Sequence, residues 1–308
     1  MTNKSSNVDI TLGLLTYNRH SEVVELIRSF ETINAFTRCD HSLEIILIDD
    51  HSDTPPDQMV DQIKEILSKY DNIQFKFFRN QLRLGCTKNR NRIFQIASGD
   101  IIIFIDDDSL ACDPLFFNKI YKILKSHEDV AIFAFPVYNI YYNHILVPHK
   151  RKKWLKKYRF YTYYFMGGGH AVKKNIIKTV GGYSEELSDR GEEYDLAFKV
   201  INSGYKILYS VDTFIIHLQV PHGRMPQYNV IINQSANKIL IAWKYYPFIF
   251  VLTNAIIWTI YAIVKTKKIR SILDVWQLFL LKAKSTRRKP LKDFARNYLK
   301  ETQARLWY

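Results

Sequence analysis

Three adjacent carboxylates, Asp106-Asp107-Asp108, close the apolar run Ile101-Ile102-Ile103-Phe104-Ile105. Charges this close repel one another unless a cation is present. Oxygen ligands suit a hard ion such as Mg²⁺ or Mn²⁺, which can bridge carboxylates to phosphate oxygens. Alternation along an extended segment sets Asp106 and Asp108 on one side and Asp107 on the other. A simpler explanation stands beside this one, because acidic residues commonly cap a following helix.

Four further groups could do chemistry. Asp49-Asp50-His51-Ser52 also follows an apolar run, and one carboxylate there can accept from a base N–H or a ribose hydroxyl. A capping turn before a helix at Asp57 would explain it equally well. Thr16-Tyr17-Asn18-Arg19 offers a ring to stack on a base and a guanidinium to reach a phosphate. Arg190-Gly191-Glu192-Glu193-Tyr194-Asp195-Leu196 places acids at a helix start, as caps or as a general base toward an acceptor hydroxyl. His217 ends a short apolar strand, where a single His is more often structural than a ligand. Sugar transfer passes through an oxocarbenium-like state and needs a neutralised leaving phosphate and a deprotonated hydroxyl. A metal and one carboxylate supply both. No P-loop, GxGxxG fingerprint or G-x-S-x-G elbow is present, which counts against those enzyme classes.

The elements that must position these residues are readable from period and punctuation. Val8 to Thr16, Leu43 to Ile48, Ile73 to Phe78 and Ile101 to Ile105 read as strands. His20 to Asn34, Asp57 to Tyr70 and Lys88 to Ala97 carry apolar residues at helical spacing. Short apolar runs alternating with helices predict βαβ units and a mostly parallel sheet. Thr16 to Arg19, Asp49-Asp50, Asn80 and Asp106 to Asp108 lie just past the carboxyl ends of the four strands. Ligands bind at that edge of open parallel sheets, so the four groups should converge on one crevice. Beyond Asp129 the pattern loosens. It contains a flexible turn at Met166-Gly167-Gly168-Gly169, helices at Asn175 to Val180, Tyr194 to Ser203 and Ile231 to Trp243, and short strands at Ile207 to Tyr209 and Phe214 to His217.

The 308 residues, 47% of them apolar, suit one large α/β domain or a catalytic domain with an appendage. Three cysteines without a CxxC suggest neither a disulfide framework nor a structural zinc site. Met1 to Val8 is polar and lacks the apolar stretch of a signal peptide, which predicts a cytosolic N-terminal end. The net charge of +14 is unevenly spread. Residues 1–129 carry 15 basic and 20 acidic side chains, residues 130–184 carry 10 basic and no acid, and residues 238–308 carry 15 basic and 3 acidic. An acidic front half joined to a basic insert and a basic tail predicts an anionic partner surface: membrane headgroups, nucleic acid or a phosphorylated acceptor. Tyr245 to Val264 has no formal charge, and Lys265, Lys267, Lys268 and Arg270 follow it. Its length is borderline for a span, and Pro247 and Asn254 weaken one. With the amphipathic Ile272 to Leu281 it reads as a membrane-embedded or interfacial hairpin, against a helix packed on the catalytic domain.

These pieces, in this order, resemble the family 2 glycosyltransferases with the GT-A fold. The resemblance is carried by Thr16-Tyr17-Asn18-Arg19, Ile48-Asp49-Asp50-His51-Ser52, Asn80 with Leu84-Gly85, Arg90-Asn91, Ala97-Ser98-Gly99-Asp100, Phe104-Ile105-Asp106-Asp107-Asp108, Gly181-Gly182-Tyr183, Gly191-Glu192-Glu193-Tyr194-Asp195-Leu196, Gly204 and His217. It covers about residues 8–220. Trp243-Lys244-Tyr245-Tyr246-Pro247 before an apolar stretch is similar to bacterial members that build surface polysaccharides. The resemblance implies a GT-A catalytic domain at 1–225, with a nucleotide-sugar half at 8–110 and an acceptor half at 111–225 that carries a basic aromatic insert at 137–165. A basic, membrane-associated helical region would follow at 226–308.

It also implies roles. Thr16, Tyr17, Asn18, Arg19 and Asp49 would line the nucleotide pocket, with Asp50, Arg90 and Asp107 nearby. Asp106 and Asp108 would hold Mn²⁺ or Mg²⁺ on the donor diphosphate, with His217 as a further ligand. Gly168 and Gly169 would lie near the sugar and acceptor. Glu193 would be the base, although it is one methylene longer than the family's usual Asp and Glu192 could replace it. The implied reaction is inverting transfer from a UDP- or dTDP-sugar to a lipid-linked or glycan acceptor at the cytoplasmic face of the cell membrane. Two readings compete: a sugar-phosphate nucleotidyltransferase, releasing pyrophosphate, and a non-enzymatic basic protein binding membrane or nucleic acid. The clustered carboxylates in a net-acidic front half argue against nucleic acid as the partner.

Overall fold

A computed structural model describes residues 8–147, 158–187, 190–220 and 225–306. Strands β1 (Ile10–Thr16), β2 (Leu43–Asp49), β3 (Ile73–Arg79) and β4 (Ile101–Ile105) alternate with helices α1 (His20–Thr32), α2 (Asp57–Leu67) and α3 (Cys86–Ile96). Strand β4, apolar throughout, and β2, apolar but for Glu44 and Asp49, are buried along their whole length, as expected where helices cover both sheet faces. Helix α1 turns Val23, Val24, Leu26, Ile27 and Phe30 inward, the stripe that its sequence period requires.

The rest of the chain extends the same sheet. It runs through β5 (Ser109–Ala111), α4 (Phe116–Ser126), β6 (Val130–Ala134), β7 (Val137–Asn139), β8 (His144–Leu146), β9 (Arg159–Thr162), β10 (Gly169–Lys173), α5 (Lys174–Val180), α6 (Glu192–Asn202), β11 (Lys206–Ser210) and β12 (Ile215–His217). The main sheet has the order β3-β2-β1-β4-β10-β6-β11-β9. Strands β10 and β9 are antiparallel to their neighbours, and the other six run one way, so the mostly parallel expectation holds. The loosened pattern after Asp129 nonetheless hides a fully buried strand at β6. The turn expected at Met166 to Gly169 gives way to strand at Gly169. A Cβ there would lie 2.6 Å from Val137 Cγ2, so the absent side chain lets β10 seat against β7. Residues 148–157 of the basic aromatic insert, Trp154 among them, lie outside the described residues.

A second sheet, β5-β12-β7-β8, matters for position. Strand β5 starts immediately after Asp108. Its antiparallel pairing with β12 sets Ser109 opposite His217, and β12 pairs with β7 so that His217 faces Asn139. Four helices complete the chain: α7 (Gln227–Tyr245), α8 (Phe248–Thr266), α9 (Ser271–Ser285) and α10 (Asp293–Glu301). Helix α7 buries Ile232, Ala236, Ile239 and Leu240 in the same core cluster as Leu196, Val200 and Ile201 of α6. Helix α8 begins just after Pro247, where proline's fixed φ suits a helix start. Asn254 is buried and donates to the carbonyls of Phe250 and Leu306, so its polarity faces the protein. The opposite face, Phe248, Ile249, Leu252, Ile256, Ile260 and Val264, is more than half exposed at every position.

Candidate active site

A cavity of about 480 Å³ opens at the carboxyl ends of β1, β2 and β4. Thr16, Tyr17, Arg19, Asp50, Arg90, Asp106 and Asp107 line it, so the strand-end groups do converge. The Thr16 hydroxyl is buried and has no partner among the described residues, as a group awaiting a ligand would be. The Arg83 guanidinium lies 3.8 Å from the centre of the Tyr17 ring and covers that face. Asp50 accepts from Asn80 Nδ2 at 2.8 Å, Leu84 N at 2.8 Å and Gly85 N at 2.9 Å. It therefore pins the loop that enters α3.

Asp49 does not line this cavity. It is fully buried, accepts from the Ser52 hydroxyl, and lies 3.2 Å from Arg79 Nε and 3.7 Å from His20 Nε2. Asn18, in left-handed backbone at φ 57°, also turns away. Its amide exchanges two 2.8 Å bonds with Asp53, and its N–H donates to Ser52 Oγ at 2.8 Å. Both residues clasp the loop after β1 to the loop after β2.

Asp106, Asp108 and His217 form the one carboxylate–histidine group among the described residues able to hold an ion, with possible ligand atoms all within 4.8 Å of one another. His217 Nε2 lies 3.0 Å from Asp108 Oδ1 and 4.0 Å from Asp106 Oδ2. Two carboxylates and an imidazole are a donor set that fits Mn²⁺ or Mg²⁺. The backbone N–H of Val220 donates to Asp108 Oδ2 at 3.1 Å and that of Leu218 to the Asp108 carbonyl at 2.8 Å, fixing the segment after His217 against this residue. Asp107 points elsewhere, to Arg19 Nη1 at 2.8 Å. Burial pushes its carboxyl up to about 7; Arg19 opposes the rise and Asp108 adds to it.

The glycine turn joins this group to the second acidic pair. A Cβ on Gly168 would stand 2.4 Å from Asp106 Oδ2, and one on Gly167 would stand 2.4 Å from Glu193 Oε1. The missing side chains let one carboxylate close onto each neighbouring residue. Arg90 Nη2 donates to the Gly167 carbonyl at 2.9 Å and holds the turn in place. Arg90 Nη1 is 3.7 Å from Glu192 Oε1. Burial pushes the Glu192 carboxyl up to about 8; Glu193 adds to the rise and Arg90 opposes it. Glu192 also accepts from Arg190 N at 3.0 Å. Gly169 lies in β10 against Phe135 and Val137 and supports the turn from behind.

A second cavity of about 370 Å³ lies beyond Glu193. Its walls come from Tyr163 and Tyr164, from α6, from Lys238 on α7, from Asn254 and Trp258 on α8, and from residues 303–305. Of the C-terminal contributors only Tyr246 lies in a motif that sequence reading had quoted; Lys238, Trp258 and residues 303–305 lie in no local motif. Sequence reading also missed Arg83 and Asn89 in the first cavity, although both flank the Leu84-Gly85 and Arg90-Asn91 pairs it had singled out.

A sequence model described as Glycosyl transferase family 2 matches residues 11–180. An uncharacterised glycosyltransferase of Methanocaldococcus jannaschii is 27% identical over 218 residues, 69% of this chain and 71% of that one. A mannosyltransferase of Pyrobaculum calidifontis, solved with GDP-mannose and Mn²⁺, superposes with a TM-score of 0.57 at 15% identity, covering 99% of this chain and 82% of its own. TarS 1–349 of S. aureus, solved with UDP-GlcNAc, gives 0.56 at 12% identity, covering 90% and 91%. These solved neighbours share the fold: a central mixed sheet flanked by helices, the GT-A arrangement.

Proposed function

The chain belongs to glycosyl transferase family 2, and from that premise we propose that it moves a sugar from a nucleoside-diphosphate sugar to an acceptor hydroxyl with inversion at the anomeric carbon. The observation that carries this reading is the Gly167-Gly168 peptide, with Asp106 closing onto one residue and Glu193 onto the next. The first cavity would take the donor. Thr16 and Tyr17 would meet the nucleoside, and Arg19, Arg83 and Arg90 would offset the charge of the diphosphate. Asp106, Asp108 and His217 would hold a divalent cation, which supplies charge neutralisation of the leaving diphosphate. Glu193 would take the proton of the acceptor hydroxyl. The acceptor oxygen then bonds to the anomeric carbon as the bond to the diphosphate oxygen breaks. Beside this base, burial and the neighbouring Glu193 push the Glu192 carboxyl up, and Arg90 opposes the rise.

The acceptor would be lipid-linked or a growing glycan at a membrane. The exposed apolar face of α8 continues into Leu273, Leu280 and Leu281 of α9, and Lys265, Lys267, Lys268 and Arg270 stand at the turn between the helices. An apolar face edged by cations suits the anionic inner surface of a bilayer, where each cation near the surface contributes about 1 kcal/mol.

A panel of sugar nucleotides screened for release of the nucleoside diphosphate tests the reading. One donor should turn over with Mn²⁺ or Mg²⁺ and stop on chelation. Release of pyrophosphate would mark a nucleotidyltransferase instead, and no binding or turnover with either metal would overturn the proposal.

A further inference from the structure

The proposed reaction makes no use of the group beneath the Gly167-Gly168 turn. His170 follows that turn in β10 and is fully buried. Its ring packs on Phe104 and Phe165, at 5.4 Å and 4.6 Å between ring centres. A phenyl ring would suit these neighbours without burying a polar atom. Yet Nε2 lies 2.7 Å from the Tyr183 hydroxyl, and Nδ1 is buried with no hydrogen-bond partner among the described residues. A buried polar atom left open is costly, so its presence calls for a reason.

The protons can be placed by elimination. Burial raises the pKa of Tyr183, so the phenol keeps its proton. Burial first, and the Arg90 guanidinium second, hold the imidazole well below its ordinary value, so the ring carries one proton. The Gly167 and Met166 carbonyls act in the opposite direction, which sets carbonyl oxygen near the ring. With the ring proton on Nε2, the Tyr183 proton would lose this acceptor and a bare Nδ1 lone pair would be left to the carbonyls. With the proton on Nδ1, Tyr183 donates to Nε2 and an N–H is left for the turn. The Gly167 carbonyl already accepts from Arg90 Nη2 at 2.9 Å, and that of Met166 from Gly169 N at 3.2 Å. A carbonyl oxygen accepts twice, so either can take a second donor.

We infer that His170 is a positioning residue for glycosyl transfer: protonated on Nδ1 and held by Tyr183, it supplies the second donor to the turn carbonyls and so sets Gly167 against Glu193. The inference rests on the glycosyl-transfer reading above and adds a residue to it. Hydrogen bonds of this kind are often long in a free enzyme and tighten in the complex. A Cβ on Gly167 would collide with Glu193 Oε1, so a small displacement of the turn changes the room that this carboxylate has. Helix α3 braces the same arrangement from the other side. Asn91 exchanges two 2.9 Å hydrogen bonds with the backbone of Tyr183, while its neighbour Arg90 holds the Gly167 carbonyl.

Nitrogen-15 NMR of the full chain reads the tautomer directly. At about pH 7 the His170 signals should show a protonated Nδ1 and an unprotonated Nε2. A proton on Nε2, or on both nitrogens, would overturn the inference. Turnover of the sugar nucleotide that the parent chain uses gives a second readout. His170→Phe keeps a ring and loses both nitrogens, and Tyr183→Phe loses only the hydroxyl. Each should lower kcat by about ten-fold or more, with KM for the donor and affinity for the released nucleoside diphosphate within about two-fold of the parent. The double variant should lose little more than His170→Phe alone, because the two groups act as a unit. Full kcat in His170→Phe would overturn the inference, as would a loss of nucleotide affinity as large as the loss of kcat. If neither variant folds, the tautomer in the parent chain decides. A parent chain that turns over no sugar nucleotide would sink the transfer reading and this inference with it, whereas an active parent with unaffected variants would sink the inference alone.

Discussion

The first cavity takes its walls from strand ends and the loops beside them, whereas the cavity beyond Glu193 draws on α6, α7, α8 and the chain near residue 304. In the first, Asp50 has three donors and Asp107 has Arg19, while the Thr16 hydroxyl has no partner among the described residues. In the second, the buried Trp258 indole N–H has no partner among the described residues. A pocket for a ligand common to many enzymes can be wired rigidly into the sheet. One for a particular acceptor can be assembled from appended helices and varied without disturbing the sheet. This contrast fits the rule that function is grafted onto a stable scaffold.

The largest separation of the two regions should come from paired substitutions. Glu193→Gln removes the proposed base but keeps its shape, so transfer should fall by about 10²–10⁴-fold while nucleotide affinity is unchanged. Asp108→Asn should instead abolish the Mn²⁺-dependent part of nucleotide binding, and transfer with it. Equilibrium titration and turnover on both variants decide it. Full turnover in Glu193→Gln would move the base to another residue, Glu192 first.

A second comparison concerns what joins the regions. Asp195 of α6 is fully buried and accepts from Lys244 Nζ at 2.6 Å, Ser184 Oγ at 2.6 Å and Tyr245 OH at 2.8 Å, with Lys199 Nζ at 3.2 Å. Burial works to raise its pKa, yet Lys199, Lys244 and these hydrogen bonds outweigh it and hold the carboxyl below its usual value. Asp195→Ala leaves the buried Lys199 and Lys244 ammonium groups with only Glu186, 3.6 Å from Lys244 Nζ, as a nearby carboxylate. Urea unfolding should show a loss of about 3–5 kcal/mol, with α7 becoming protease-sensitive first. A loss below about 1 kcal/mol would mean that apolar packing alone seats α7.

The donor half was legible because its signals are local. Apolar runs, helical spacing and acids at strand ends located β1 to β4, α1 to α3 and the Asp106 to Asp108 cluster within a few residues. The same alternation explains the limit at Asp49. Successive residues leave a strand on opposite sides, so Asp50 reaches the cavity and Asp49 turns toward His20 and Arg79. His217 could be named from the resemblance, but its approach to Asp108 depends on the pairing of β12 with β5, far apart in the chain. Of the second cavity, the Arg190 to Tyr194 wall and the aromatic insert were legible, but the contribution of the C-terminal helices was not. Lys238, Trp258 and Arg305 meet only through helix packing, and each alone reads as an ordinary helix or tail residue.

The smallest expected effect separates the two acids of the Glu192-Glu193 pair. Glu192 has a folded-state pKa raised from 4.5 to about 8, through burial first and Glu193 second. Between those values the folded chain holds a proton that the unfolded chain has released. Stability therefore falls as pH rises through this window, and the contribution is lost once Glu192 ionises. Glu192→Gln carries no titrating group and keeps the shape. From about pH 6 to about pH 9 its thermal midpoint should decline less than that of the parent chain, by a few degrees. Arg90, 3.7 Å from Glu192, favours the charged form and limits the difference, whereas Glu193 opposes that form and enlarges it. Parallel declines in the two proteins would mean that Glu192 is already ionised at neutral pH. Arg90 would then outweigh the burial that raises the Glu192 carboxyl.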